Sequence, residues 1–124
     1  MNNLFISGIP KIELYVYIEG AMTPELRWNF DQRNNIPLRS ERLNRTFRTL
    51  VQLKEVYNLL QPRSIKGANQ ISTFFDAYFG GMEVLMTEED FYELAMDYFI
   101  KGAVVNVRYC GIFIDPQAHT RRGV

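Results

Sequence analysis

The sequence has a single cysteine, no long apolar run and no excess of charge of either sign. One cysteine, Cys110, excludes an internal disulfide and fits a reducing compartment. The apolar runs cover a few residues, whereas a membrane-spanning helix needs roughly 20, and the N-terminus lacks the features of a signal peptide. Fourteen basic and fourteen acidic side chains cancel, so no field favours nucleic acid or an anionic membrane as a partner. We expect a cytoplasmic protein.

One stretch, Lys11 to Ala21, alternates between two kinds of side chain. One set is apolar and comprises Ile12, Leu14, Val16 and Ile18. The other set carries a carboxyl or hydroxyl group on every member and comprises Glu13, Tyr15, Tyr17 and Glu19. A period of two predicts a β-strand over about residues 11–19, and polar chemistry on one side is typical of a barrel or open sheet that holds a site. Gly20 lets the chain turn sharply after the strand.

The rest of the chain predicts several helices and a second strand. Helical spacing of apolar residues, with capping residues such as Thr23 and Thr87, predicts helices over about residues 24–34, 40–60, 71–85 and 88–102. A run rich in β-branched residues predicts a strand over about residues 104–114. Helices between two strands imply a parallel crossover, and a parallel sheet needs more than two strands. We therefore expect the opening portion of an α/β domain, left incomplete.

Residues 9–21 read I-P-K-I-E-L-Y-V-Y-I-E-G-A and resemble the opening motif of the adenosine and adenine deaminases, L-P-K-x-E-L-H-x-H-(L/I)-(D/E)-G. Three further regions resemble later parts of the same family, in the same order, at 24–38, 79–99 and 107–123. The string D-P-Q-x-H-T-x-R-G at the end of the last region is similar to the adenine-deaminase-like and fungal-type branch. The resemblance thus covers nearly the whole chain.

This resemblance implies a fold, an activity and a pair of binding residues. The fold is the N-terminal portion of a (β/α)₈ barrel of the TIM type, with residues 1–124 forming one partial domain. The activity is zinc-dependent removal of the 6-amino group of a purine base or nucleoside, in purine salvage, with a metal-activated water as the nucleophile. Glu19 matches an acidic residue that shapes the family's substrate pocket, and with Gly20 it is the substrate-binding candidate.

Tyr15 and Tyr17 stand where the family's H-x-H motif places two zinc ligands. Zinc prefers nitrogen and sulfur donors, and a phenol, with a pKa of about 10, is a poor substitute for imidazole at neutral pH. We expect no intact metal site, no bound zinc and no catalytic residue in this chain. The two rings are expected to fill the space of the metal, with tyrosinate ligation of iron as the alternative. A complete barrel also needs roughly 250 residues and eight strands, so we expect no activity from this chain alone.

Other reactive side chains favour structural roles. Glu13 and Glu19 lie six positions apart, about 20 Å along a strand, which is too far to flank one bond. His119, the sole histidine, belongs to the loop string and favours hydrogen bonding over metal binding. Cys110 lies mid-strand among apolar neighbours and favours buried packing over nucleophilic chemistry. The aromatic stripe from Phe74 to Phe79 predicts core packing, with partial exposure and association as the alternative.

Two functions from different classes follow from these residues. The first is a purine deaminase family member that is truncated and inactive by itself. The second is a non-catalytic interaction protein that associates with itself or with an intact relative through open strand edges and aromatic helix faces. A purine-binding module without chemistry is a third and weaker hypothesis, because most of such a pocket would come from strands outside this sequence. The choice among adenine, adenosine and a modified purine stays open.

Overall fold

The computed structural model describes residues 3–40, 45–58 and 70–124. The strands in these ranges are β1 (Lys11–Tyr17), β2 (Arg39–Ser40), β3 (Arg45–Thr46) and β4 (Val107–Phe113). The helices are α1 (Asn3–Gly8), α2 (Pro24–Asn34), α3 (Leu50–Asn58), α4 (Gln70–Glu83), α5 (Glu88–Val104) and α6 (Pro116–Thr120). A 3₁₀ turn, Ile18–Ala21, directly follows β1. Strands β1 and β4 pair in parallel, as the predicted crossover requires, and β2 pairs with β3 in a separate antiparallel ribbon.

Capping side chains fix where the two best-defined helices begin. Thr23 accepts a hydrogen bond from the Leu26 N–H at 3.3 Å at the start of α2, and Pro24 occupies the first helical position. Thr87 and Asp90 form a reciprocal capping box at the start of α5, where each side chain accepts from the other's backbone N–H. Such caps satisfy N–H groups that have no partner within the helix. Both helices therefore begin where the sequence predicts.

The register of β1 against β4 is interrupted by a bulge. Glu13 lies opposite Cys110 and Val16 opposite Ile112, so β1 has one more residue than β4 between these pairs. Tyr15, within this interval, has a φ of 61°, in the left-handed region that non-glycine residues rarely adopt. A bulge inserts a residue and locally disrupts the regular alternation of side chains.

The bulge changes which side chains of β1 share a face. Ile12 and Leu14, expected on the buried apolar side, are 69% and 55% exposed. Glu13, expected beside the tyrosines, instead accepts a hydrogen bond from the Tyr98 hydroxyl of α5 at 2.7 Å. An extra residue reverses the in–out alternation for everything that follows it. The predicted division of the whole strand into one apolar and one polar side is therefore wrong.

The helix predicted from about residue 40 begins at Leu50 instead. The β2–β3 ribbon occupies part of the preceding segment, and the Phe47 N–H donates to the Leu38 carbonyl at 2.7 Å. Both side chains are buried in the core, so tertiary packing overrides the local helical spacing. Leu43 and Leu60, which contributed to that spacing, lie outside the described residues.

The two long strands are shorter than predicted. The first, predicted over about residues 11–19, ends at Tyr17 because the 3₁₀ turn begins at Ile18. The second, predicted over about residues 104–114, begins at Val107 because α5 extends to Val104. Asn106, with a φ of 64°, makes the turn between α5 and β4. Asparagine tolerates this left-handed conformation better than most residues.

The core lies among the helices and not on the sheet. Its buried members among the described residues are Ile18, Met22, Phe30, Leu38, Phe47, Leu53, Val56, Val84, Leu85 and Leu94. None of these residues belongs to β1 or β4. Within the described ranges, no helix combines the length and apolar character needed to cross a membrane.

One side of the β1–β4 sheet is covered by α5 and the other is exposed. Glu13 and Cys110 both interact with Tyr98, so they face α5. Their neighbours along each strand point the other way, and a Cβ built on Gly111 would lie 3.5 Å from Leu14 Cδ2 on that side. We call this side the open face, and its exposed large side chains are Ile12, Leu14, Tyr15, Tyr17, Tyr109 and Phe113.

Candidate functional site

The candidate site lies at the carboxyl ends of β1 and β4, which meet at one edge because the strands are parallel. Tyr15 stacks on Phe113 with ring centroids 6.1 Å apart and planes within 9°. Tyr17 stacks on the same ring at 5.4 Å and meets Tyr78 of α4 edge-on at 6.3 Å. The family's expected ligand positions are therefore part of a continuous aromatic cluster.

These side chains do not fit the zinc site that the resemblance implies. Zinc in proteins takes imidazole, thiolate or carboxylate ligands. At this edge the two positions carry phenols, and both rings pack against Phe113. Among the described residues, no group of three or more His, Cys, Asp and Glu side chains is placed to hold a metal ion. Both rings stack on Phe113, and the expectation that they fill the space of the metal stays a prediction.

Glu19, the predicted substrate-binding acid, is buried in the 3₁₀ turn and holds the loop after β4. Its Oε1 accepts a hydrogen bond from the Asp115 N–H at 2.9 Å and lies 3.1 Å from His119 Nε2. Its Oε2 is also buried and has no hydrogen-bond partner among the described residues. A buried carboxylate oxygen without a donor raises the free energy of the folded state. The contacts that Oε1 makes with Asp115 and His119 have to offset this cost.

His119 connects Glu19 to an arginine. Its Nδ1 lies 2.9 Å from Arg122 Nη2, and a guanidinium can only donate. Nδ1 is therefore the acceptor, which assigns the ring proton to Nε2, where it is donated to Glu19. The ring also packs edge-on against Phe91 of α5 at 4.8 Å. This geometry agrees with the hydrogen-bonding role predicted for the sole histidine.

Arg122 closes the network by capping α4. Its guanidinium donates to the carbonyl oxygens of Met82, Glu83 and Leu85 at 2.9, 3.0 and 3.0 Å. The last carbonyls of a helix lack partners within the helix, and a cation there also interacts favourably with the helix dipole. The D-P-Q-x-H-T-x-R-G string thus joins the end of β1, the end of α4 and the loop after β4.

Tyr78 and Asp115 extend the same network toward the aromatic cluster. The Tyr78 hydroxyl donates to Asp115 Oδ2 at 2.8 Å. Burial, together with the nearby carboxylate that accepts this hydrogen bond, raises the pKa of Tyr78 above its ordinary value. Gly20, the second predicted substrate-binding residue, lies against the Tyr78 ring, since a Cβ at Gly20 would be 3.5 Å from Cδ2. Sequence reasoning did not identify Tyr78 as part of this site, because its helical stripe predicts core packing or association and no contact with the site.

The other candidate side chains lie apart from this edge. Glu13 faces α5, and burial together with the hydrogen bond to Glu13 raises the pKa of Tyr98. Cys110 is half-buried on the same side of the sheet. Glu13 and Glu19 have separate hydrogen-bond partners.

A second buried carboxylate joins α2 to α5. Asp90 accepts hydrogen bonds from Arg33, from Asn34 at 2.8 Å and from the backbone N–H groups of Met86 and Thr87 at 2.9 and 2.8 Å. Burial alone would raise the pKa of Asp90, but these donors outweigh burial and lower the pKa to about 2. Sequence reasoning did not identify the contacts of Asp90 to α2.

Comparison with known proteins gives one consistent family. A family model described as Adenosine deaminase matches residues 10–124. An adenine deaminase from Zymomonas mobilis is 40% identical over 126 residues, which cover 100% of this chain and 33% of that protein. An uncharacterized deaminase from Schizosaccharomyces pombe is 37% identical, over 97% of this chain and 31% of that protein.

A solved structure gives the same result for the fold. The crystal structure of adenine deaminase from Arthrobacter aurescens matches with a TM-score of 0.73 and 35% identity, over 93% of this chain and 30% of that one. The chain thus spans about a third of the length of these relatives. The predicted fold class, an α/β portion with parallel strands corresponding to part of a TIM-type barrel, is confirmed. The chain belongs to the adenosine deaminase family and aligns with the N-terminal third of its adenine deaminases.

Proposed function

We propose that this chain is a non-catalytic member of the family, derived from enzymes that remove the 6-amino group of purines. The observation that carries the proposal is the packing of Tyr15 and Tyr17 on Phe113, at the positions of the expected ligands. Two phenols held in an aromatic cluster supply neither the imidazole donors nor the geometry of a hydrolytic zinc site. Without a metal to lower the pKa of bound water, water is too weak a nucleophile for this reaction at neutral pH.

Glu19 and Gly20 keep a supporting role in this proposal. Glu19 holds the loop after β4 through Asp115 and His119, and Gly20 lies beside Tyr78. These contacts would preserve the wall of a purine pocket without supplying chemistry. In this proposal both residues shape the site, and no described side chain acts as acid, base or nucleophile.

Metal analysis and a deamination assay on the purified 124-residue chain test the proposal. We expect substoichiometric zinc after incubation with the metal and removal of the excess, and no ammonia release from adenine or adenosine. The adenine deaminase of Zymomonas mobilis, assayed in parallel, provides the positive control. Stoichiometric zinc together with ammonia release would contradict the proposal.

A matched variant separates the missing ligands from other causes of inactivity. Replacement of both tyrosines, Tyr15→His and Tyr17→His, restores two imidazoles at i and i+2 on β1. We expect this variant to retain more zinc than the parent chain, because imidazole is a zinc ligand and phenol is a poor one. Equal zinc in the two proteins would show that the tyrosines are not what prevents metal binding.

Association with a second copy or with an intact relative is the second candidate function. The supporting observation is the open face, whose large apolar and aromatic side chains are exposed. Contiguous exposed patches of this kind mark interaction sites in soluble proteins.

A further inference from the structure

His119 lies between a buried carboxylate and a guanidinium. The histidine is 4% exposed and the Glu19 side chain is fully covered, so described residues of this chain enclose both groups. Nε2 donates to Glu19 Oε1, and Nδ1 accepts from Arg122 Nη2. Both ring nitrogens therefore keep these partners only when the ring is neutral and its proton is on Nε2.

A second proton on this ring is incompatible with the position of Arg122. Imidazolium has a donor at both nitrogens, and a guanidinium has donors only. Protonation would turn the 2.9 Å contact between Nδ1 and Arg122 Nη2 into one between two positively charged donors. The contact with Glu19 would instead become a charge-assisted hydrogen bond, so the ring would stay with Glu19 and repel the guanidinium. Arg122 is an exposed residue, so its side chain can turn into water.

Arg122 ties this ring to the end of α4. It donates to three backbone carbonyl oxygens at or just after the end of the helix, those of Met82, Glu83 and Leu85. Without the guanidinium, these carbonyls lose a donor and the helix dipole loses a favourable cation. The same helix carries Tyr78, whose hydroxyl donates to Asp115 at the candidate site. The charge of His119 is thus connected to a helix that forms part of this site.

The groups that face the histidine ring come from several elements. The 3₁₀ turn contributes Glu19, and α5 contributes the uncharged ring of Phe91, 4.8 Å away. Asp90, next to Phe91 in α5, is bound to side chains of α2. Asp115 binds Glu19 through its N–H, and its carboxylate is bound to side chains of α4 and α6. In the described part of the chain, the charged side chains bonded to the ring are therefore Glu19 and Arg122, and its protonation affects their contacts oppositely.

We propose that protonation of His119 releases Arg122 from the end of α4, which makes this histidine a pH-sensitive switch between the loop after β4 and that helix. In the neutral state, the ring and the three carbonyls share the guanidinium. In the protonated state, the ring stays bound to Glu19 and the end of α4 loses its donor. The switch involves neither a metal nor a purine, so its failure leaves the proposed loss of deamination untouched.

The sole histidine allows a direct test of the starting state by NMR. We expect the ring of the 124-residue chain, labelled with ¹⁵N, to show a protonated Nε2 and an unprotonated Nδ1 at pH 8. The two nitrogens are distinguished by their couplings to the ring carbon-bound protons. A neutral ring with its proton on Nδ1 overturns the proposal, because Arg122 then has no acceptor on the ring.

Amide hydrogen exchange then measures the release of Arg122 as the pH falls from 8 to 5, the interval in which unperturbed imidazole changes its charge. The Leu85 N–H, which donates to the Met82 carbonyl at 3.2 Å, reports on the end of α4. The N–H of buried Leu94, within α5, reports on global opening. After correction for the intrinsic rate, we expect protection at Leu85 to fall by about 10-fold, or about 1.4 kcal/mol, and protection at Leu94 to stay unchanged.

Three outcomes of the exchange experiment overturn the proposal. Unchanged protection at Leu85 shows that Arg122 is not released. An equal fall at Leu85 and Leu94 shows global opening instead of a local switch. Absence of protection at Leu94 at pH 8 shows that the buried contacts of His119 do not form in this chain.

Matched variants assign the effect to the two side chains. His119→Gln keeps an N–H donor for Glu19 but does not titrate, so we expect protection at Leu85 to become independent of pH in this interval. Arg122→Ala is expected to give the low protection at both pH values, because the donor to the carbonyls is gone. The control, Arg121→Ala, removes the neighbouring exposed arginine and is expected to behave like the parent chain. A folded His119→Gln chain that keeps the parent's pH dependence assigns this dependence to another group and overturns the proposal.

Discussion

The carboxyl end of β1 contains two neighbouring regions that differ in how their side chains are paired. Glu19, just after the strand, is buried and tied to Asp115 and His119, and through His119 to Arg122. Tyr15, four residues earlier, is 77% exposed and packs only one face of its ring on Phe113. The Glu19 network is formed by hydrogen bonds, whereas Tyr15 and Tyr17 make ring contacts and stay half-exposed or more. The contacts that hold Glu19 are therefore more extensive than those that hold Tyr15.

The largest expected effect comes from breaking the network at Glu19. Glu19→Ala leaves the Asp115 N–H and the His119 Nε2–H buried without an acceptor, and we expect a loss of about 3 kcal/mol in the free energy of unfolding. Glu19→Gln keeps an acceptor for both donors and is expected to cost about 1 kcal/mol. Urea denaturation at one fixed protein concentration measures these differences.

The matched control for Glu19 is Glu13→Ala, on the same strand. Glu13 is exposed and accepts one hydrogen bond from Tyr98. Its loss is expected to cost below about 1 kcal/mol, because water can replace the acceptor. If Glu19→Ala and Glu13→Ala lower the free energy of unfolding equally, the hydrogen bonds of Glu19 to Asp115 and His119 do not stabilise the fold.

An intermediate effect is expected on acidification, through Asp90. Its pKa is lowered from 3.8 to about 2 in the folded chain, so the folded state binds its proton less readily than the unfolded state does. The associated stability is present above about pH 4 and is lost as the pH falls from 4 through 2, amounting to about 2 kcal/mol. Unfolding free energies measured between pH 5 and pH 2 test this dependence.

Asp90→Asn provides the control for the titration. Asparagine has nearly the same shape and does not titrate, so its unfolding free energy is expected to fall less over this pH interval. An unchanged pH dependence in the variant would assign the acid sensitivity to other carboxylates.

Local patterns predicted the elements whose signals lie within a few residues. The caps at Thr23 and Thr87 placed the starts of two helices, and the period-two alternation placed the start of the first strand at Lys11. The bulge at Tyr15 could not be predicted, because it arises from the pairing of β1 with β4, about 95 positions further along the chain. The helix predicted from about residue 40 failed for a related reason. The Phe47 N–H donates to the Leu38 carbonyl, and both side chains are buried in the core. The helical spacing of Phe47 to later residues cannot predict a contact with a residue before it.

The sequence predicted which residues form the candidate site, but only some of the contacts between them. The motif resemblance identified Tyr15, Tyr17 and Glu19 and the string that contains His119 and Arg122. It did not predict that Glu19 contacts His119, since these residues are 100 positions apart. Nor did it predict the stacking of both tyrosines on Phe113, because a period-two pattern gives the side of a strand and not the neighbour across it.

The smallest expected effect is at Tyr15, where two contributions oppose each other. Its φ of 61° destabilises a non-glycine residue by about 1 kcal/mol, and glycine adopts this φ without that strain. Its stack on Phe113 contributes about 0.5–1.5 kcal/mol in return. Tyr15→Gly is therefore expected to change the unfolding free energy by less than about 1 kcal/mol, whereas Tyr17→Gly, which loses a stack without relieving a positive φ, costs more. Paired denaturation curves in dilute, monomeric protein separate the two. A large loss from Tyr15→Gly alone would mean that the stack stabilises the strand well beyond its strain, and that the exposed ring is as firmly anchored as the buried network beside it.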